Sequence, residues 1–171
     1  MDLYKGIQTL ETLIILNIFI LKKNQMKYLI SHRGNISGKF TDQENTIPYI
    51  EAAISMGYDV EIDIWIKDDV LYLGHDAPEQ EINLEWLKSN HNKLWIHCKN
   101  LNALRFFNKQ SSLFNYFFHD SDKATLTSKS YMWVYPGEQP LEDSIAVLPE
   151  IYNDDISKCI GICSDYIINY K

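Results

Sequence analysis

The stretch DVEIDIWIKDDVLYLGHD, from Asp59 to Asp76, constrains the fold of this chain more than any other segment. Its first half alternates as a β-strand does, so that Val60 and the isoleucines at every second position after it share one face. Glu61 and Asp63 share the other face, about 6 to 7 Å apart. Two carboxylates at that separation repel by roughly 2.5 kcal/mol at an effective dielectric constant near 20. We therefore expect a divalent cation, or cationic side chains, opposite this pair.

Composition excludes several classes of partner. The chain has 171 residues, 46% of them hydrophobic, which is enough apolar material for the core of one domain. Its net charge of −7 argues against a nucleic-acid partner and against a polybasic membrane patch, but a local cluster of cations can still bind a small anion. The cysteines are three and show no paired-ligand spacing, so we expect reduced thiols and a cytoplasmic protein.

Residues 1–25 form an extension before the first predicted strand. Its apolar run, Leu13–Leu21, has about half of the ~20 residues that a membrane-spanning helix needs, and Asn17 interrupts it. No stable membrane anchor is therefore expected. Two interpretations stay open: the extension is an amphipathic helix that lies on the domain, or translation begins at Met26. In both cases we expect the folded domain to span residues 26–171.

Strand and helix patterns alternate through the first two thirds of that domain. Strands are predicted at 26–32, 59–67, 93–98 and 114–119, and helices at 44–57, 84–90 and 101–110. Asn45 or Thr46 is expected to cap the first helix. After residue 119 the helical signal fades, and short strands joined by polar loops follow. The pattern predicts an α/β fold, specifically a reduced TIM-type (β/α) barrel with abbreviated helices in its second half.

Polar side chains gather at the carboxyl ends of these predicted strands. In LWIHCKN the same alternation places His97 and Lys99 on one face, so a second strand also carries a polar pair. The residues that end two further extended segments join them: His32, Arg33, His75 and Asp76. Because the carboxyl ends of parallel strands meet at one rim, the sequence predicts a metal and phosphate site there.

The order of these motifs resembles that of the glycerophosphodiester phosphodiesterases. Five elements stand in the family's order between Tyr28 and Asp76: His-Arg-Gly, Glu-Asn-Thr, Glu-x-Asp, a Lys-Asp turn and His-Asp. WIHCK and GICSDYI are more weakly similar to the family's Glu-x-Lys strand and terminal Thr-Asp-Tyr strand. The resemblance implies a short, divergent member of the wider superfamily of barrel enzymes that includes phosphatidylinositol-specific phospholipase C.

The resemblance also implies residue roles. His32 and His75 match the catalytic acid and base histidines, and Arg33 and Lys99 match residues that bind the substrate phosphate. Glu61 and Asp63 match ligands of a divalent cation, Mg or Ca in the family. Glu44 matches a glutamate near the site. The implied activity is metal-dependent hydrolysis of a glycerophosphodiester or a similar small phosphodiester.

Two departures from the family stand out. His97 occupies the position of the third, acidic metal ligand, and an imidazole ligand makes Mn or Zn candidates beside Mg or Ca. Only a short segment separates His75 from His97, where the typical enzyme has a longer insertion, so we expect a shallower pocket. His119 ends a predicted strand and is a candidate to line the same site. The alternative function is a non-catalytic module that binds a phosphate ligand and has lost the metal chemistry.

Overall fold

The architecture is one mixed sheet of ten strands that curls on itself. The structure is a computed structural model that describes residues 26–171; the predicted extension at 1–25 lies outside the described residues. The strands are β1 Tyr28–His32, β2 Asp59–Lys67, β3 Val70–Leu73, β4 Gln80–Ile82, β5 Leu94–Cys98, β6 Asn115–Phe118, β7 Ala124–Leu126, β8 Met132–Val134, β9 Ser144–Val147 and β10 Gly161–Ser164. The α-helices are α1 Ile47–Ser55, α2 Leu84–Asn90 and α3 Leu101–Asn108.

Parallel pairing joins seven of these strands in the order β6-β5-β2-β1-β10-β9-β8. The other three, β3, β4 and β7, add antiparallel edges. The first antiparallel edge begins at the predicted Lys-Asp turn, where Asp68 and Asp69 both have positive φ. Positive φ at both central residues is the requirement of a two-residue hairpin, so this turn sends the chain back along β2.

The prediction of a reduced TIM-type barrel is wrong. The described residues form a sheet-dominated, curled half-barrel, with three short α-helices in place of a regular alternation of strands and helices. No ladder of the described chain closes the sheet between β6 and β8. The physical reason lies after β6, where the described connections between strands carry turns and one short 3₁₀ helix, Pro149–Ile151, in place of α-helices. A second 3₁₀ helix, Ile167–Tyr170, follows the last strand.

The two faces of β2 separate as the alternation predicts. Val60, Ile62 and Ile64 are fully buried in a cluster that includes residues of α1 and α3. The opposite face of β2 turns toward the inside of the curl, where a second cluster contains Trp95, Phe117, Trp133 and residues of β9 and β10. Glu61 and Asp63 are therefore enclosed by the curled sheet, at 2% and 0% exposure.

The helices of the described residues are short. The longest, α1, has nine residues, and no helix in 26–171 is long and apolar enough to cross a membrane.

Candidate active site

A cavity of about 400 Å³ opens at the carboxyl ends of the parallel strands. The predicted site residues that line it are His32, Arg33, Glu61, His75, His97, Lys99 and His119. Asp63 lies behind them, fully buried. Glu44 lines a neighbouring cavity of about 260 Å³ that shares Arg33 and His75 with the first. The structure thus brings every predicted site residue to one rim of the sheet.

Glu61, Asp63 and His97 form a cluster that could hold a metal ion. One ligand atom of each side chain lies within 4.8 Å of the others. β2 and β5 pair in parallel with Asp63 opposite His97, and this register puts the imidazole beside the two carboxylates. Nδ1 of His97 lies 2.9 Å from Oδ1 of Asp63 and 3.8 Å from Oε1 of Glu61.

Two carboxylate oxygens of this cluster lack hydrogen-bond partners. Oε2 of Glu61 and Oδ1 of Asp63 are both buried, and neither accepts a hydrogen bond from any described residue. The close contact between Asp63 Oδ1 and His97 Nδ1 is short but lacks hydrogen-bond alignment. Leaving a buried acceptor unsatisfied costs about 1 to 3 kcal/mol. A divalent cation satisfies both oxygens at once, so the residues present fit such an ion.

The other side of the His97 ring supports the same conclusion. Its Nε2 lies 3.4 Å from the backbone carbonyl oxygen of His119. When a cation replaces the proton of Nδ1, the proton on Nε2 can be donated to that carbonyl, and the lone pair of Nδ1 is free to bind the cation. Metal-binding histidines commonly donate their second ring N–H to a carbonyl in this way. His97 is therefore arranged as a ligand through Nδ1.

Asp63 is the most strongly compensated charge of the site. Its Oδ2 accepts a hydrogen bond from the Asn45 amide at 2.9 Å and lies 3.0 Å from Nε of Arg33. Lys99 Nζ lies 3.5 Å from its Oδ1. Burial opposes ionisation of Asp63, but contact with His97 and the charges of Arg33 and Lys99 outweigh it and hold the pKa of this carboxyl well below its usual range. Asp63 is thus an anion in the folded protein.

At Glu61 the effects that oppose ionisation outweigh those that favour it. Burial and the neighbouring charge of Asp63 raise the pKa of the Glu61 carboxyl, and His32, Arg33 and His97 only partly offset them. Its nearest described cationic groups are two imidazoles: Nδ1 of His97 lies 3.8 Å from Oε1, and Nε2 of His32 lies 3.9 Å from Oε2. The carboxylate of Glu61 therefore lacks a close counter-charge that a cation would supply.

His32 is held in place by a carboxylate that follows the last strand. Its Nδ1 lies 2.7 Å from Oδ1 of Asp165, which also accepts a hydrogen bond from Asn35. Burial favours the neutral ring, but the bond to Asp165 and the charge of Glu61 prevail and raise the pKa of His32. Because Nδ1 faces Asp165, Nε2 is the ring atom turned toward Glu61 and the cavity.

His75 stands at the outer edge of the same cavity. Its Nδ1 lies 2.7 Å from Oδ1 of Asp76, and its side chain is 40% exposed. Burial and the positive charge of Arg33 lower the pKa of His75. Gly74 has a φ of 146° and its position leaves no room for a Cβ, which would lie 2.0 Å from the Ala77 carbonyl oxygen. This glycine permits the sharp turn that sets His75 at the rim.

Backbone strain occurs beside the ligands. Arg33 and Asn45 both have left-handed backbones, with φ of 54° and 55°. The Arg33 N–H donates to the Glu61 carbonyl, and the Asn45 N–H donates to the Arg33 carbonyl. Such conformations cost of order 1 to 3 kcal/mol and persist where surrounding contacts fix them. Here they direct the Arg33 guanidinium to Asp63 and Glu44, at 3.0 and 3.3 Å.

Sequence reasoning missed three residues of the site. Asp165, which orients His32, was within the GICSDYI motif but carried no predicted role. Of the two predicted caps of α1, Thr46 is the N-cap, without a side-chain cap hydrogen bond. The Asn45 side chain instead bonds both the backbone N–H and Oδ2 of Asp63. Tyr135, which follows β8, lines the cavity and carries no predicted role. The available signal was position: each of the three lies just past a strand end or before a helix at the common rim.

Searches of protein-family models, of curated proteins and of solved structures return no match to this chain.

Proposed function

We propose that this protein is a metal-dependent hydrolase of small phosphodiesters that works as the glycerophosphodiester phosphodiesterases do. The observation that carries the proposal is the pairing of two features on one cavity. One is a buried carboxylate pair with unsatisfied oxygens, and the other is a pair of histidines, His32 and His75, each oriented by an aspartate at 2.7 Å.

Glu61, Asp63 and His97 would hold the cation. When bound, the ion polarises a phosphoryl oxygen and neutralises charge that develops on the phosphate. Two carboxylates suit hard cations such as Mg, and the imidazole extends the range to Mn or Zn.

The two histidines differ in the direction of their pKa shifts, which separates their roles. His75, whose pKa is lowered, is neutral at pH 7 and accepts a proton from the attacking hydroxyl or water through its Nε2. His32, whose pKa is raised, holds a proton on Nε2 and donates it to the leaving alcohol. Asp165 and Asp76 fix the other ring nitrogen of each histidine.

Lys99 and Arg33 bind the phosphate. Lys99 lines the cavity with its side chain 15% exposed, and its ammonium is 3.5 Å from Asp63, so it can contact both the ligand and the metal site. Arg33 already pairs with Asp63 and Glu44, so only its remaining donors are free for a phosphoryl oxygen. The cavity volume of about 400 Å³ is in the range of small-molecule sites and matches a glycerophosphodiester headgroup.

The test is hydrolysis of a panel of glycerophosphodiesters with added Mg, Ca, Mn or Zn, with and without EDTA. We expect cation-dependent release of glycerol phosphate that EDTA abolishes. His75→Gln and His32→Gln should each lower kcat roughly 10²- to 10⁴-fold. His91→Gln is the matched control, because His91 lies at the end of α2 against the Lys88 carbonyl, outside this cavity. If wild-type protein binds cation and diester but gives no turnover, the function is ligand binding alone.

A further inference from the structure

Tyr135, just after β8, has a hydroxyl group with no hydrogen-bond partner among the described residues. Its Oη is buried and makes no hydrogen bond with any residue of the described chain. Buried tyrosine hydroxyls usually find a partner, and an unmade bond is costly. The indole of Trp133, a polar neighbour of this hydroxyl, has only a donor, so the phenol proton would still lack an acceptor.

The hydroxyl is held at the wall of the candidate active site. Tyr135 lines the same cavity as Glu61, His97 and Lys99. Its ring stacks on that of His119, with centroids 3.7 Å apart and planes at 22°. The ring position is thus fixed by packing, and the hydroxyl has little freedom to find a partner elsewhere.

Unsatisfied acceptors and an unsatisfied donor therefore occur together at this cavity, which Glu61 and Tyr135 line and behind which Asp63 lies. Glu61 and Asp63 offer acceptor oxygens without donors, and Tyr135 offers a donor without an acceptor. A bare cation satisfies only the carboxylates. An anion bound beside that cation would satisfy the phenol as well, since a phosphoryl oxygen is a strong acceptor.

We propose that the Tyr135 hydroxyl donates a hydrogen bond to a non-bridging phosphoryl oxygen of the ligand and so forms part of its phosphate-binding site. This inference rests on the proposed function for the nature of the anion. It adds a neutral donor, just after β8, to the cationic donors Lys99 and Arg33. The chemical class it recognises is a phosphate mono- or diester oxygen.

The test measures inorganic phosphate binding to the Mn-loaded full chain by calorimetry, for wild type, Tyr135→Phe and Tyr131→Phe. Tyr131 is the matched control, because its hydroxyl bonds Tyr28 at 2.7 Å and lines a different cavity. We expect Tyr135→Phe to weaken phosphate binding roughly 10- to 100-fold. Tyr131→Phe should leave the phosphate affinity unchanged. Mn affinity without phosphate should be the same in all three proteins.

Thermal unfolding without phosphate gives a second measurement that a structural role would change. Removing an unsatisfied hydroxyl should not lower the melting temperature, whereas Tyr131→Phe should lower it. Unchanged phosphate affinity in Tyr135→Phe, or no phosphate binding by wild type, would overturn the inference.

The two proposals fail separately. If Tyr135-dependent phosphate binding occurs without diester hydrolysis, this inference stands and the proposed activity falls. If Tyr135→Phe hydrolyses diesters with wild-type kcat/KM, this inference falls and the proposed activity stands.

Discussion

Strand β2 carries three acidic residues on one face, Asp59, Glu61 and Asp63. Their carboxylates differ in hydrogen bonding between the two ends of the strand. At the amino end, Asp59 Oδ1 accepts from the Lys93 ammonium at 2.9 Å and Oδ2 accepts from the Trp95 indole at 3.2 Å. At the carboxyl end, Glu61 and Asp63 each keep a buried oxygen that accepts no hydrogen bond from residues 26–171.

The comparison shows that burying this strand does not by itself leave carboxylate oxygens without hydrogen bonds. The same strand can satisfy a carboxylate fully, as Asp59 demonstrates, so the unsatisfied oxygens are not a general property of this sheet. They coincide with two oriented histidines, two cations and a cavity, none of which is needed to bury the strand. Unsatisfied polar groups in a native fold often mark sites completed by a ligand.

The largest effect is expected when one acidic residue is removed from each end of β2 and the losses in unfolding free energy are compared. Asp63→Ala leaves Arg33 and Lys99 enclosed without their shared partner, so we expect a loss of about 3 to 5 kcal/mol in unfolding free energy. Asp59→Ala frees Lys93, which is partly exposed, and should cost about 1 kcal/mol. Urea unfolding in EDTA measures both. Equal losses at the two ends would show that Asp63 has no special place in the charge network.

Glu61→Gln separates ligand binding from folding. Because Glu61 lacks a close counter-charge, we expect no loss of stability in EDTA. With cation at 100 times its Kd, wild type should gain about 2.7 kcal/mol and the variant should gain far less. Paired urea titrations with and without Mn measure this gain. A variant that is destabilised in EDTA but stabilised by Mn as wild type is would contradict the assignment.

The difference in stability between wild type and Glu61→Gln should change with pH in one direction, which the pKa shift of Glu61 determines. The pKa of Glu61 is raised in the folded state, so its contribution to stability is present below its unfolded value of 4.5 and is lost as pH rises through the folded pKa. Because a glutamine side chain does not ionise, Glu61→Gln does not lose this contribution as pH rises. In EDTA the variant should therefore gain on wild type as pH rises from 4 to 8. A difference that stays constant over this interval would argue against a destabilised Glu61.

His97 is the one nitrogen ligand of the proposed metal site. His97→Ala should weaken cation binding roughly 10- to 100-fold, or about 1.4 to 2.7 kcal/mol. His97→Glu should shift preference from Mn or Zn toward Mg or Ca. Equal affinities in all three proteins would show that His97 is not a ligand.

Asp165→Asn gives the smallest expected change. The pKa of Asp165 is lowered and that of His32 is raised, so the pair stabilises the fold most between the unfolded values of 3.8 and 6.5. We expect a loss of about 1 kcal/mol near pH 5.5 that shrinks by pH 9 as His32 deprotonates. Denaturant titrations in EDTA at the two pH values measure it. A larger loss at pH 9 would contradict an ionic pair.

Local patterns predicted the site better than the overall fold. Alternation along 59–67 placed Glu61 and Asp63 on the enclosed face, and the same parity in β5 placed His97 beside them. These are properties of one strand and its neighbour in register. They hold whatever lies on the outside of the sheet.

The barrel prediction failed because closure of a sheet depends on pairing between distant parts of the chain. The fading helical signal after residue 119 indicated few covering helices, but local patterns do not show whether β6 and β8 pair with each other. Asn45 and Asp165 were missed for a similar reason. Their partners, Asp63 and His32, lie 18 and 133 positions away, and only the folded chain brings them together.

The most direct test of the central claim is an anomalous-difference map from crystals of the protein grown with Mn. We predict one strong peak about 2.0 to 2.3 Å from an oxygen of Glu61, an oxygen of Asp63 and Nδ1 of His97. No anomalous peak is expected beside Asp59. A fully bound protein whose manganese lies elsewhere, or crystals without a peak between these three side chains at millimolar Mn, would contradict the metal site and the hydrolysis proposed from it.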